Sequence, residues 1–217
     1  MGVDDSHFPH NNMNKVLVTL TGPSAAGKTH LFDFGKKTEP PLNTLVATTT
    51  RAARDGEMHG KSYYFTTKEN FCAIGDQGGL VEKNLFNGEY YGMTTEEFFS
   101  KLNKGPAFAI VDPNGVNYYE QYCKSHKIEH VKVFITVSFQ ERVNRFITRF
   151  RNDILTSDIY AVSSTALNHI KRLQFMCEHE EKWILQKSWD LVLNGSTNPE
   201  ENLRIIYDYI EKLEPVY

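Results

Sequence analysis

Thr21-Gly22-Pro23-Ser24-Ala25-Ala26-Gly27-Lys28-Thr29 fits G-x-x-x-x-G-K-[ST] from Gly22 to Thr29, the pattern of a phosphate-binding P-loop. The residues before it, Val16-Leu17-Val18-Thr19-Leu20, are apolar or β-branched and read as a buried parallel strand. Those after it, Leu31-Phe32-Asp33-Phe34, can open a helix. Strand, glycine-bounded loop and helix together supply what the pattern needs. Loop N–H groups and the helix N-terminus face phosphate, Lys28 reaches the β/γ-phosphates, and the Thr29 hydroxyl holds Mg²⁺. The stretch predicts a nucleoside triphosphate site built from Gly22, Pro23, Ser24, Ala25, Ala26, Gly27, Lys28 and Thr29.

At 217 residues the chain can bury one full core. Its net charge of −3 gives no global attraction for nucleic acid or anionic membrane. No apolar run approaches the ~20 residues of a membrane span. Residues 1–13 are polar, without the apolar core of a secretory signal, and read as a flexible tail. Cys72, Cys123 and Cys177 lie far apart without C-x-x-C spacing, so neither a disulfide framework nor a zinc site is expected. The expected setting is cytoplasmic, with no nucleic acid and no membrane partner, as a monomer or homodimer.

Strand-like runs recur at Val16–Leu20, Ala107–Val111, Val131–Val137 and Leu191–Leu193, with segments between them long enough for helical crossovers. That alternation predicts an α/β fold with a parallel sheet and helices on both faces, three layers in all. Leu203, Ile206, Ile210 and Leu213 form a helical stripe over Glu200–Leu213. Thr44–Phe99, rich in Thr, Tyr, Gly and Phe, reads as a small β-rich insertion. Phe139–Gln174 is polar, helical and dotted with arginine, and reads as a mobile cover. The expected division is a core of 14–46, 102–138 and 176–217, an insertion of 47–101 and a lid of 139–175.

Arg51 and Arg54, three apart in Thr49-Thr50-Arg51-Ala52-Ala53-Arg54-Asp55-Gly56-Glu57, can form a two-sided fork for a phosphate dianion, and Tyr63 can add a donor. The order T-T-R-x-x-R-x-G-E-x-x-G-K-x-Y-x-F closely resembles guanylate kinase. The resemblance continues at Glu82, at Asn87-Gly88-Glu89-Tyr90-Tyr91-Gly92, at Val111-Asp112-Pro113-Asn114-Gly115, at Arg145 and Arg149, at His169-Ile170-Lys171-Arg172-Leu173, and at Asp190-Leu191-Val192-Leu193-Asn194. It implies a P-loop kinase core with a nucleoside-monophosphate-binding insertion and a helical lid. The implied partners are ATP and a purine nucleoside monophosphate, with GMP or dGMP converted to the diphosphate and Mg²⁺ accompanying ATP. Carried over to this sequence, Arg51, Arg54, Tyr63 and Tyr91 hold the acceptor phosphate, Glu57 braces or contacts that pocket, and Glu82 reads the base. Gly92 and Met93 belong to the same monophosphate site. Lys28, Arg145, Arg149 and Arg172 grip the transferring group, Asn194 belongs to the ATP site, and Asp112 joins Thr29 near the metal.

The chemistry suits these residue types. A 5′-monophosphate, with a second pKa of about 6, is already a nucleophile at neutral pH. The difficulty is bringing two polyanions together, for which arginine and lysine serve and a catalytic histidine does not. Arg145 and Arg149, four apart, share a helix face, and Glu141, four before Arg145, can pair with it.

Three positions depart from the family. Ala47 and Met93 stand where hydroxyl residues usually address the guanine O6, and Ile110 stands where an aspartate is usual. Either Thr48, Thr94, Thr95 or water takes over, or the base differs: a deoxynucleotide or a modified purine. The interval from Arg149 to Arg172 is also long for the family, which predicts an enlarged lid. Ala25 replaces a usual glycine, which matters only if its φ is positive. Two other classes compete: an inactive guanylate-kinase-like binding module, and a related kinase acting on a sugar phosphate.

Overall fold

The computed structural model describes residues 15–213 apart from 55, 87 and 159; the tail expected at 1–13 lies outside them. Two sheets organise these residues. Strands β1 (Val16–Thr21), β6 (Ala107–Ile110), β7 (Glu129–Thr136) and β8 (Leu191–Asn194) form a parallel sheet in the order β6-β1-β7-β8. All six residues of β1 are buried, because a central parallel strand is covered on both faces. Val16, Val18 and Leu20 pack with Leu31 and Phe32 of α1 (Lys28–Gly35) and Leu203, Ile206 and Ile210 of α7 (Pro199–Glu211). Leu17 faces the other way, onto Phe98 and Leu102 of α3 (Thr95–Leu102) and Tyr119 and Cys123 of α4 (Pro113–Ser125). The buried hydroxyls of β1 are satisfied: Thr21 donates to the Val111 carbonyl at 3.1 Å, and Thr19 lies 2.8 Å from His130 Nε2. Helices thus cover both faces, as the alternation predicts.

The expected strands form with ends moved by a residue or two, as does the final helix, which stops at Glu211. The order β6-β1-β7 places the carboxyl end of β1 at the switch point of the sheet, where the chain leaves toward opposite sides and opens a crevice.

The insertion forms a second sheet, order β3-β2-β5-β4, from β2 (Thr48–Thr49), β3 (Tyr64–Phe65), β4 (Leu80–Phe86) and β5 (Glu89–Thr94). It is less purely β than its composition suggests, since it carries α2 (Lys68–Asp76) and α3. Both start at threonine caps: Thr67 accepts from Asn70 N–H and Thr94 from Glu97 N–H. A register shift on β4 lets two residues oppose one on β5, with Leu80 opposite Thr94 and Glu82 opposite Met93. Such a bulge re-aims side chains. Val81 turns into the core at 2% exposure, and Glu82 lines a cavity.

The arm after β7 is a helical pair, α5 (Phe139–Thr156) and α6 (Val162–Glu178), followed by a 3₁₀ stretch, Glu180–Leu185. It extends beyond the expected limit of 175 because Met176 and Glu180 are buried and anchor its return to the core. The arm also has more of an inner face than its polarity suggests: Arg142 and Phe146 of α5 are buried.

Candidate active site

Gly22 begins the loop with φ of 153°, where a Cβ would stand 2.0 Å from the Ile135 carbonyl oxygen, so only glycine fits against β7. Gly27, φ 109°, precedes α1 without a side-chain cap, leaving the helix's first N–H groups for an anion. Ala25 has φ of 61°, so the expected glycine is missing at a position that does require positive φ. The backbone there is strained and must be held from outside.

Ser24 to Thr29 line a cavity of about 570 Å³, together with Arg145, Arg149 and Arg172. Three arginines far from the loop in sequence thereby converge on it. Lys28 Nζ donates to the carbonyls of Gly22 at 2.5 Å and Pro23 at 2.9 Å. Burial, with Arg172, Arg142 and Arg149 nearby, lowers its pKa to about 8, against the opposing pull of Glu180. Arg145 Nη1 donates to the Ala25 carbonyl at 3.2 Å, and its Nη2 reaches Ser196 Oγ at 2.9 Å and pairs with Glu141. The Glu141–Arg145 pair thus forms beside the loop cavity. Arg172 Nε donates to Ser24 Oγ at 3.4 Å.

Glu82 lines a second cavity, about 490 Å³, beyond the end of β6. Its carboxylate accepts from the Tyr119 hydroxyl, and the buried Oε2 has no hydrogen-bond partner. Burial raises its pKa, Asp112 adds to the rise and Tyr119 opposes it. A half-satisfied buried carboxylate is a ready acceptor for paired N–H donors. Ile110, 40% exposed, lines both cavities.

Arg51, Tyr63 and Tyr91 also meet: the Arg51 guanidinium lies 5.6 Å from the Tyr63 ring centre, and the two tyrosine rings are 6.1 Å apart. Glu57 takes the Arg51 fork bidentately at 2.8 and 3.0 Å and accepts from Arg54 N–H at 2.8 Å, so it braces the turn. The Arg54 side chain is exposed.

Other expected positions are placed differently. Met93 is 3% exposed among Leu17, Val81 and Phe98, a core residue rather than a wall of the second cavity. Gly92 sits on β5 under the Phe71 ring: a Cβ there would meet the Glu82 carbonyl oxygen at 2.6 Å and the ring at 2.8 Å. Thr94 and Thr95, expected to substitute for the missing base-reading hydroxyls, are already engaged, Thr94 as the α3 cap and Thr95 donating to the Gly79 carbonyl at 3.4 Å. Thr48 is buried and lines a separate cavity. Asn194 does not line the loop cavity; its Oδ1 accepts from Ser196 N–H at 2.9 Å and shapes the turn Gly195–Pro199, which does. That turn was missed, although Asn194-Gly195 followed by Asn198-Pro199 is a legible turn and helix start. Tyr119, Arg142 and Glu180 were missed as well.

Asp112 caps α4, accepting from Gly115 N–H at 2.8 Å, and lines the second cavity, whereas Thr29 lines the first. The pair expected to share a metal is thus divided between two adjoining cavities. Among the described residues no group of three or more His, Cys, Asp or Glu is arranged for a metal ion. An exposed threonine hydroxyl beside a phosphate cradle does fit Mg²⁺, which habitually takes most ligands from phosphates and water. Among the described residues no helix is long and apolar enough to cross a membrane.

The family model described as guanylate kinase matches residues 13–181. A guanylate kinase of Wolinella succinogenes is 29% identical over 194 residues, covering 88% of this chain and 87% of that protein. One of a Synechococcus species is 33% identical over 132 residues, covering 60% of this chain and 59% of that protein. The crystal structure of guanylate kinase from Anaplasma phagocytophilum matches with a TM-score of 0.56 at 22% identity, covering 92% of this chain and 86% of that one, a likeness of fold.

Proposed function

This chain belongs to the guanylate kinase family, and we propose that it transfers the γ-phosphoryl group of ATP to the 5′-phosphate of GMP or dGMP, giving ADP and GDP or dGDP. The observation that carries this reading is the common wall at Ile110. A cavity walled by the P-loop and three arginines adjoins one that presents the unpartnered oxygen of Glu82. A triphosphate in the first and a purine monophosphate in the second would bring their phosphates together.

The acceptor dianion attacks the γ-phosphorus, an O–P bond forms, the bond to the β-phosphate oxygen breaks, and ADP leaves with the electron pair. No general base is needed. Lys28, Arg145, Arg149 and Arg172 supply positive charge around the transferring group. Arg51, Arg54, Tyr63 and Tyr91 hold the acceptor phosphate, and Glu57 keeps the Arg51 fork in plane. Thr29 would hold the Mg²⁺ that accompanies ATP, Asp112 would act near it from the adjoining cavity, and the ion would neutralise phosphate charge. The α5–α6 arm acts as the lid, whose closure excludes water and suppresses hydrolysis. We place the enzyme in the cytoplasm, as a monomer or homodimer.

A second reading keeps the reaction and changes the base. It is favoured by Ala47 and Met93 and by the engagement of Thr94 and Thr95 elsewhere, which together leave the purine 6-position without a hydroxyl from β5. ADP release from ATP–Mg²⁺ against ribo- and deoxyribonucleoside monophosphates, including 2-aminopurine and 2,6-diaminopurine forms, tests both. Turnover confined to GMP and dGMP supports the first reading. A maximum on a purine without a 6-carbonyl supports the second, and no turnover on any acceptor leaves the binding module.

A further inference from the structure

Glu180 opens the 3₁₀ stretch after α6 and is 4% exposed, and it is not among the residues that line either cavity. Its Oε2 accepts from the Ser24 backbone N–H at 2.6 Å, and its Oε1 accepts from the Ser24 hydroxyl at 2.8 Å. The same hydroxyl accepts from Arg172 Nε at 3.4 Å. On the other side stands Arg142 of α5, 1% exposed, with Nη1 4.0 Å from Glu180 Oε2 and Nη2 paired with Glu181.

A buried carboxylate is costly unless hydrogen-bonded, and here both oxygens spend their bonds on one residue of the P-loop. Gripping N–H and hydroxyl together fixes the peptide plane and the rotamer of Ser24. The next residue is Ala25, held at φ 61°, a conformation that alanine leaves when unconstrained. Its far side is held as well, by Arg145 Nη1 on the Ala25 carbonyl at 3.2 Å. Ala25 therefore sits between two clamps, one on the preceding residue and one on its own carbonyl.

We propose that Glu180 is a positioning residue for the donor triphosphate: through Ser24 it holds the strained Ala25 peptide so that the P-loop N–H groups face the phosphates. This rests on the reading of the loop cavity as the ATP site, and is independent of which monophosphate is the acceptor. It also links the lid to the loop, because Glu180 lies at the foot of α6 and Arg142 at the start of α5.

Calorimetric titration with ATP–Mg²⁺ and, separately, with GMP tests the role, beside steady-state kinetics of the parent on GMP. Glu180→Ala is expected to weaken ATP binding about tenfold to a hundredfold and leave GMP binding within about twofold. Ala25→Gly, which adopts positive φ freely, should recover at least about threefold of the ATP affinity lost in the Glu180→Ala background. Unchanged ATP affinity, an equal loss for GMP, or no rescue by glycine overturns the proposal. Should Glu180→Ala fail to fold, Glu180→Gln keeps one acceptor oxygen and the side-chain volume. A loss of about threefold to tenfold for ATP alone then supports the role, and none overturns it. Absence of GMP turnover in the parent would count against the kinase assignment and leaves the ATP comparison intact.

Discussion

Replacing Lys28 by methionine should abolish turnover and stabilise the nucleotide-free protein. Burial lowers the Lys28 pKa from 10.5 to about 8. At about 1.4 kcal/mol per pKa unit, the folded state carries roughly 3 kcal/mol of penalty for keeping this ammonium charged at neutral pH. Methionine keeps most of the apolar stem and removes the charge. The substitution also removes the bonds to the Gly22 and Pro23 carbonyls, at about 1 kcal/mol each. The net expectation at pH 7 is a gain of about 1 kcal/mol, or about 2–4 °C in Tm for a chain of this size. The sign with pH follows from the depressed pKa of a base. The unfolded chain holds the proton up to 10.5 and the folded one only to about 8, so the penalty is complete below about 8 and fades as pH rises toward 10.5. The parent should therefore gain on the variant by about 2 kcal/mol between pH 7 and 9.5, reversing their order. Urea unfolding of both proteins at the two pH values, without nucleotide, measures this, and a coupled assay should show a loss of at least about a hundredfold in kcat. A variant less stable than the parent at pH 7, or a gap that does not move with pH, would refute the reasoning.

Arg51→Lys should raise KM for GMP about tenfold with KM for ATP unchanged, because lysine cannot reproduce the bidentate fork that Glu57 holds; steady-state kinetics on both substrates read this. Glu82→Gln should weaken GMP about tenfold to a hundredfold, since the amide turns a donor toward the base's own donors, while ATP titrations stay unchanged. For Asp112 the two roles separate. Asp112→Asn keeps the cap on Gly115 N–H and should leave Tm unchanged while lowering Mg²⁺-dependent turnover, whereas Asp112→Ala should also lose about 1 kcal/mol of stability in a thermal melt.

The P-loop unit was legible because its determinants are local. β1 is covered on both faces and so reads as a continuous apolar run, and Gly22 must lie flat against the Ile135 carbonyl. β8, at the sheet edge, leaves Val192 54% exposed, yet its apolar run is also readable. The helices of the insertion were hidden by composition, although Thr67 and Thr94 each stand as a cap before acidic residues. Met93 shows a different limit: position in a motif does not fix where a side chain packs, and the β4 bulge decides which side chains of this hairpin reach the cavity. The Ser24–Glu180 contact had no local signal. Its partners lie 156 positions apart, and Glu180 sits in Glu178-His179-Glu180-Glu181-Lys182, a run that reads as a solvated face.

Carboxylates explain how so much positive charge stands in one cleft. Glu57 occupies the fork of Arg51, Glu141 pairs with Arg145, and Glu180 with Glu181 flanks Arg142. Each holds a guanidinium in place, and Glu141 limits the repulsion that Arg145 and Arg149 would otherwise feel at i, i+4 spacing. These partners are not equivalent. Glu57 is 21% and Glu141 40% exposed at the side chain, so water can take over when a phosphate claims the arginine. Glu180 is buried, and its release would strand a charge. Under the proposed function, exchange on substrate binding would therefore fall to Arg51 and Arg145, whereas the Glu180 contact would persist through the cycle. A doubly charged phosphate that can chelate the fork competes well with an exposed carboxylate, and a monovalent anion does not. Under the proposed function, the acidic partners would thus filter anions by charge and geometry.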